Sequence, residues 1–201
     1  MKIFLQIKEI RQWLKLAERN PRDHALFHVA FSTGLRISDI LTLRREDFID
    51  ADEAIIRTLR VKIRKTKKWI DRPLRADCRR SVERYLGLRV DDNPYMFPAN
   101  RRDPKKNPFV ISNWDQPMNR MTSHRLYKKY LRMLFPESML ARASTHTPRR
   151  SMAKIISEET GRIEPASKYL GHSSVQSTQT YIDMDSWEQK ANEVVVELEI
   201  G

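Results

Sequence analysis

Apolar residues recur at helical spacing from the start of the chain. Ile7, Ile10, Trp13, Leu14 and Ala17 predict a first helix, which Asn20-Pro21 stops. A second helix is expected from about residue 22, through Leu26, Phe27, Ala30 and Phe31, to a stop at Thr33-Gly34. Ile37, Ile40 and Leu41 then anchor a short helix inward, with Ser38 as its expected N-cap and Arg36 in the turn before it. Asp39, three residues after Arg36, is expected to orient that guanidinium. Over residues 47–74 the period changes to two. Residues 54–56 and then Leu59, Val61 and Ile63 alternate with basic positions, so strands are predicted. Lys65-Thr66-Lys67-Lys68 makes a tight basic turn into Trp69-Ile70, and Arg72-Pro73-Leu74 closes the unit.

Helical spacing returns over residues 76–88 with Val82, Tyr85 and Leu86 on one side. It appears again near 123–134, with Leu126, Tyr130, Leu131 and Leu134 expected inward. Between them, residues 91–117 read as an extended surface loop with one apolar piece, Tyr95-Met96-Phe97. A helix from Pro148 passes Met152, Ile155 and Ile156 to Gly161, and another over 164–170 ends before Gly171. Near the end, Val194, Val196, Leu198 and Ile200 alternate with Glu197 and Glu199, which predicts a strand with one apolar face.

Charge changes the picture. The 201 residues carry 38 Lys+Arg against 26 Asp+Glu, a formal +12. Such an excess points to a polyanionic partner, most often nucleic acid. The excess is uneven: residues 57–80 hold eleven basic and two acidic side chains, and 101–132 hold nine and two. Residues 183–201 reverse it, with six acidic and one basic. Arg101, Arg102, Lys105 and Lys106 in the loop, and Arg125, Lys128, Lys129 and Arg132 on the following helix, are candidates to face a phosphate backbone. A membrane surface is the rival polyanion, but no amphipathic basic helix, lipidation motif or long apolar run supports it. Cys78, the only cysteine, excludes an internal disulfide and suits a reducing cytoplasm. The opening apolar stretch, Ile3-Phe4-Leu5, is too short for a signal peptide. His24 and His28 lie four apart, a spacing that would hold a metal. No supporting acid or cysteine cluster accompanies them, so packing is the expectation.

The chemistry concentrates between residues 146 and 181. His146-Thr147-Pro148-Arg149 puts an imidazole and a guanidinium three apart, on one face if both are helical. Gly171 in Leu170-Gly171-His172 ends a helix and turns His172 into a loop. Tyr181 follows nine residues later, after the polar run Ser177-Thr178-Gln179-Thr180. A phenol is a poor nucleophile until it is positioned and relieved of its proton, and such neighbours suit that.

This pattern resembles the tyrosine recombinase (phage integrase) family, where a His-x-x-Arg box precedes a Leu-Gly-His box and a nucleophilic tyrosine follows. Thr33-Gly34-Leu35-Arg36-Ile37-Ser38-Asp39 is similar to the family's first arginine box, with Asp39 where Glu is more common. The family's basic hairpin, often Lys-Thr-Gly-Lys-Lys, aligns without gaps from Lys65, which makes Lys65 the candidate general acid. Lys67 and Lys68 stay open for that role. Arg150 stands where the family often has histidine.

The resemblance implies a mainly α fold with a small antiparallel β-sheet (α+β), the catalytic-domain fold of that family, over residues 1–182. Residues 183–201 would be an acidic tail that docks on its own or a neighbouring copy. It implies Arg36, Lys65, His146, Arg149, His172 and Tyr181 as catalytic residues, with Asp39 in support and no metal or other cofactor. It also implies double-stranded DNA with paired sites as partner, a dimer or tetramer on DNA, and accessory DNA-bending proteins as further candidates. The first arginine box begins near residue 33, leaving no room ahead of it for the family's usual N-terminal DNA-binding domain. The chain is therefore expected to be a catalytic domain alone, or a minimal recombinase. A cytoplasmic, nucleoid-associated protein is expected. The alternatives are a type IB topoisomerase, which shares the chemistry, and a noncatalytic DNA-binding regulator.

Overall fold

The computed structural model describes residues 4–99, 102–103, 107–111, 116–140, 143–171 and 175–179. The expected C-terminal strand and acidic tail lie outside them. The fold is mainly helical with small antiparallel sheets.

Helix α1 (Ile7–Ala17) opens with a capping box, in which the Gln6 N–H donates to Glu9 Oε2 at 2.7 Å. It buries Ile10, Trp13 and Ala17 on one stripe. Asn20-Pro21 does more than stop it. Asn20 accepts the Asp23 N–H at 3.1 Å and Pro21 takes the first turn, so the pair also opens α2 (Pro21–Thr33). Helix α2 is the centre of the molecule, buried continuously from Ala25 to Phe31. Trp13 meets Phe27, Phe31 and Tyr127 edge-on, with ring centroids 5.0, 5.7 and 5.7 Å apart. Asp23, also buried, accepts the Tyr130 hydroxyl at 3.0 Å.

After the one-turn α3 (Ile37–Ile40), strands β1 (Thr58–Lys62) and β2 (Trp69–Pro73) pair antiparallel, Leu59 opposite Arg72 and Lys62 opposite Trp69. Leu59 and Val61 face the core, while Arg60 and Lys62 face solvent. Helix α4 (Ala76–Gly87) packs on α2. Strands β3 (Arg102–Asp103) and β4 (Asn107–Ile111) pair next, followed by α5 (Arg120–Arg132) and α6 (Glu137–Leu140). Helices α7 (Thr147–Thr160) and α8 (Glu164–Leu170) pack together, and α9 (Gln176–Gln179) follows.

Three local expectations are corrected. Ser38 lies inside α3, and Arg36, in extended backbone, occupies the N-cap. Residues 54–56 contribute a single bridge, Ile49 to Ile55, because a turn over 50–53 returns the chain at once. The stretch read as loop contains the β3–β4 hairpin, and its apolar piece is core: Met96 and Phe97 are fully buried. Backbone bonds from Met96 N to Leu43 O and from Met118 N to Phe97 O, both 2.8 Å, stitch it in. Pro and Asn had masked that strap as irregular surface. Tyr130 and Leu131 are buried as expected, joined by Ser123 and Tyr127, and Leu126 and Leu134 pack half-buried against the core.

Candidate active site

Three segments converge around the end of α2. The first is its stop. Gly34 adopts φ +60°, and a Cβ built there would lie 2.9 Å from Tyr169 Cε1, so glycine is required by both conformation and space. Leu35, Ile37, Ile40 and Leu41 are buried around it and leave Arg36 half-buried at the N-cap of α3.

Asp39 does not do what its spacing suggests. It is 2 % exposed, and its Oδ1 accepts the backbone N–H of Arg64 at 3.2 Å. Its N–H donates to Arg36 O at 2.8 Å, but among the described residues no hydrogen bond or ion pair joins its carboxylate to the Arg36 guanidinium. The pairing of residues three apart requires both to be helical, and Arg36 precedes the helix. Asp39 instead fastens the β1–β2 turn to the arginine segment.

That turn is closed by Ile63 N to Lys68 O at 2.9 Å and Lys67 N to Ile63 O at 2.8 Å. Lys65, Lys67 and Lys68 are all exposed on it. Lys67 has φ +59°, in the left-handed region that favours glycine. It occupies the glycine position of the Lys-Thr-Gly-Lys-Lys form. The other end of the ribbon is fastened by Arg72, which is 7 % exposed. Its guanidinium donates to Tyr169 O and, at 2.8 Å, to Asp71 O, and lies 5.2 Å from the centre of the Tyr169 ring.

The third segment is the start of α7. His146 sits at the N-cap, half-buried, its N–H donating to Ser144 Oγ at 3.2 Å. Arg149 is 2 % exposed. Its Nη1 donates to Gly34 O at 2.5 Å and its Nη2 to Leu170 O at 2.6 Å. One guanidinium thus ties the α2 stop, the α7 start and the α8 end. Arg150, also buried, donates to Ser144 Oγ at 3.2 Å and Thr147 Oγ1 at 3.4 Å.

Burial lowers the His146 pKa from its ordinary 6.5, and the positive charges of Arg150, Arg149, Arg36 and Arg120 lower it further. The imidazole is therefore neutral near pH 7 and able to accept a proton. The four guanidinium groups set a positive field at this imidazole, which suits an anion. Arg36, His146 and Arg149 are thereby brought together. Arg120, first residue of α5, and Arg72 were not legible as site residues. Arg120 follows a stretch with no motif, and Arg72 read only as the close of a strand.

Helix α8 ends at Gly171 in the left-handed conformation, φ +64°. His172 follows directly and Tyr181 comes two residues after α9, and both lie outside the described residues. Arg101 also lies outside them, and Arg102 falls in β3. On α5, Arg125 and Lys129 are exposed and Lys128 is half-buried. His24 and His28 contact one another, Nε2 to Nε2 at 3.1 Å, and His24 Nδ1 meets Ser81 Oγ at 2.8 Å. Among the described residues no group of three or more His, Cys, Asp or Glu is placed to hold a metal. Nor, among them, is any helix long and apolar enough to cross a membrane.

Comparison with known proteins follows the same lines. The chain is 26% identical over 165 residues to the tyrosine recombinase XerC of Thermodesulfovibrio yellowstonii, covering 82% of this chain and 50% of that protein. It is 27% identical over 180 residues to the probable integrase/recombinase YoeC of Bacillus subtilis, covering 90% and 86%. A crystal structure of XerA recombinase superposes with a TM-score of 0.72 at 23% identity, covering 96% of this chain and 65% of that one, a likeness of fold. The chain spans about half the length of the Xer relatives it matches, such as the XerA of Thermococcus onnurineus, of which it covers 55%. A model of the phage integrase family matches residues 4–187, and the chain belongs to that family.

Proposed function

We propose that this chain cleaves and rejoins DNA strands at specific sites through a 3′-phosphotyrosine, with residues 1–182 as the catalytic unit. Tyr181 Oη attacks the scissile phosphorus and His146 accepts the phenol proton. Arg36 and Arg149 donate paired hydrogen bonds to the two nonbridging oxygens of the five-coordinate transition state, and His172 adds another donor. Lys65 delivers a proton to the departing 5′ oxygen. One P–O bond forms as one breaks, so a new 5′ hydroxyl reseals the strand without ATP.

The observation that carries this reading is the Arg149 guanidinium, which donates to Gly34 O, two residues before Arg36, and to Leu170 O at the end of α8, while His146 stands three residues ahead of it at the start of α7. A neutral base amid four cations suits a phosphodiester whose charge rises in the transition state. Asp39 acts on the hairpin rather than on Arg36, which keeps it in a supporting role. Arg101, Arg102, Lys67, Lys68, Arg125, Lys128 and Lys129 would track the duplex backbone. Paired sites on double-stranded DNA, a dimer or tetramer on them, accessory bending proteins, a tail over 183–201 that docks on this copy or the next, and residence at the nucleoid in the cytoplasm complete the reading.

A suicide duplex, nicked so that the cleaved end diffuses away, tests it. The parent chain should accumulate a covalent protein–DNA adduct, and Tyr181→Phe should bind the duplex but form none. An adduct with Tyr181→Phe would assign the nucleophile elsewhere.

A further inference from the structure

A helix leaves its last four carbonyls without a partner further along itself. In α8 those are Ser167 O, Lys168 O, Tyr169 O and Leu170 O. The N–H of the left-handed Gly171 takes the first two. Two guanidinium groups take the others: Arg149 donates to Leu170 O at 2.6 Å, and Arg72, from β2, donates to Tyr169 O. Cations at this end also suit the helix dipole. Arg72 is costly to keep there. It is buried, its acceptors are the backbone carbonyls of Tyr169 and Asp71, and among the described residues its Nε meets no partner. An apolar side chain of that size would fill the space at less cost in desolvation. What the fork supplies is direction. Its guanidinium lies 5.2 Å from the centre of the Tyr169 ring, and its Nη2 would stand 3.6 Å from a Cβ on Gly171. Tyr169 is seated separately, its hydroxyl donating to Ser32 O and its ring closing on Gly34.

We propose that Arg72 is a positioning residue for strand cleavage: it fixes the last turn of α8 and Gly171, and through them the point from which the chain enters His172. This rests on the reading of the chain as a DNA strand-transferring enzyme in which His172 donates to the transition state, and it adds a residue that touches no reacting group. The imidazole is the next side chain after Gly171, so a rotation of the last turn reaches it directly. Arg149 alone leaves such a rotation open, because it holds one carbonyl of the turn. Arg72 holds the preceding carbonyl from the opposite partner, the ribbon, and two held carbonyls define an orientation. A donor to a developing charge contributes fully only when its position is set before the reaction.

The experiment is a double-mutant cycle on the full-length chain, read as single-turnover cleavage of the suicide duplex at saturating protein. His172→Ala should slow cleavage about a hundredfold, the cost of one transition-state donor. Arg72→Met should slow it about tenfold, the smaller cost of a misplaced donor. Made in the His172→Ala background, Arg72→Met should slow it by less than about twofold further, because the group it acts through is gone. Duplex affinity should stay at the parent value throughout. If Arg72→Met does not fold, the same cycle is run with Arg72→Lys, which keeps the charge and loses the fork. Equal slowing in the two backgrounds would show a general loosening of the fold and would overturn this inference alone. A parent-like rate for the Arg72 variant would do the same. A parent chain that forms no adduct would overturn both this inference and the reading beneath it.

Discussion

The segments around Arg149 and the turn around Lys65 hold their charges in opposite ways. Arg149 is enclosed, its guanidinium donating to Gly34 O and Leu170 O, and its surroundings fix where it points. Lys65 is exposed on a turn whose neighbour Lys67 is held at φ +59°. Asp39 and Arg72 bond that turn and its ribbon to other segments, and Leu59, Val61 and Ile63 pack the ribbon on the core, but Lys65 itself is left free to move. In the proposed reaction the difference is functional. The transition-state oxygens need donors that do not move, and the leaving oxygen needs a proton from a group that arrives with the DNA.

The largest break in this comparison should come from Arg149→Ala. It leaves two buried carbonyls without their donor, and a loss of roughly 3–5 kcal/mol in urea unfolding is expected. Lys65→Ala, on the exposed turn, should unfold like the parent. Next is the glycine at the α2 stop. Gly34→Ala combines a positive φ with a Cβ 2.9 Å from the Tyr169 ring, whereas Gly161, at φ +65°, meets nothing within 4 Å. Gly34→Ala should therefore cost ~2–3 kcal/mol and Gly161→Ala ~1 kcal/mol, the gap measuring how tightly α8 is seated. Equal losses would mean that Tyr169 yields freely.

A third test concerns the field inside the enclosed region. Arg150 is the largest electrostatic cause that lowers the His146 pKa after burial. Removing that positive charge eases protonation, so Arg150→Met should raise the His146 pKa toward 6.5. The acid limb of the cleavage pH profile should then move to higher pH. A limb that stays in place would mean that another group accepts the proton. The smallest effect is on the turn. Lys67→Gly relieves the left-handed backbone and should stabilise the chain by ~0.5–1 kcal/mol in urea unfolding.

The two regions also differ in how far sequence alone revealed them. Gly34, Gly161 and Gly171 each end a helix where periodicity stopped, because a left-handed cap leaves a local signature. His146, Arg149 and Arg36 could be named from short motifs for the same reason. What the carbonyl clamp does could not be read, because Gly34 O and Leu170 O belong to backbone, and backbone acceptors have no letter in the sequence. Asp39 was placed beside Arg36 by spacing, yet its partner is an N–H twenty-five residues away. Arg120 and Arg72 reach the site through tertiary packing alone. The 95–97 strap was hidden by its prolines and polar flanks, although Met96 and Phe97 are core.

One measurement tests the separation of roles most directly: cleavage of paired substrates carrying either oxygen or sulfur at the 5′ bridging position. A thiolate leaves without a proton. Lys65→Ala should therefore be slow on the oxygen substrate and restored on the sulfur one, while Arg149→Lys should be slow on both. Restoration of Arg149→Lys by sulfur, or its absence for Lys65→Ala, would contradict the account.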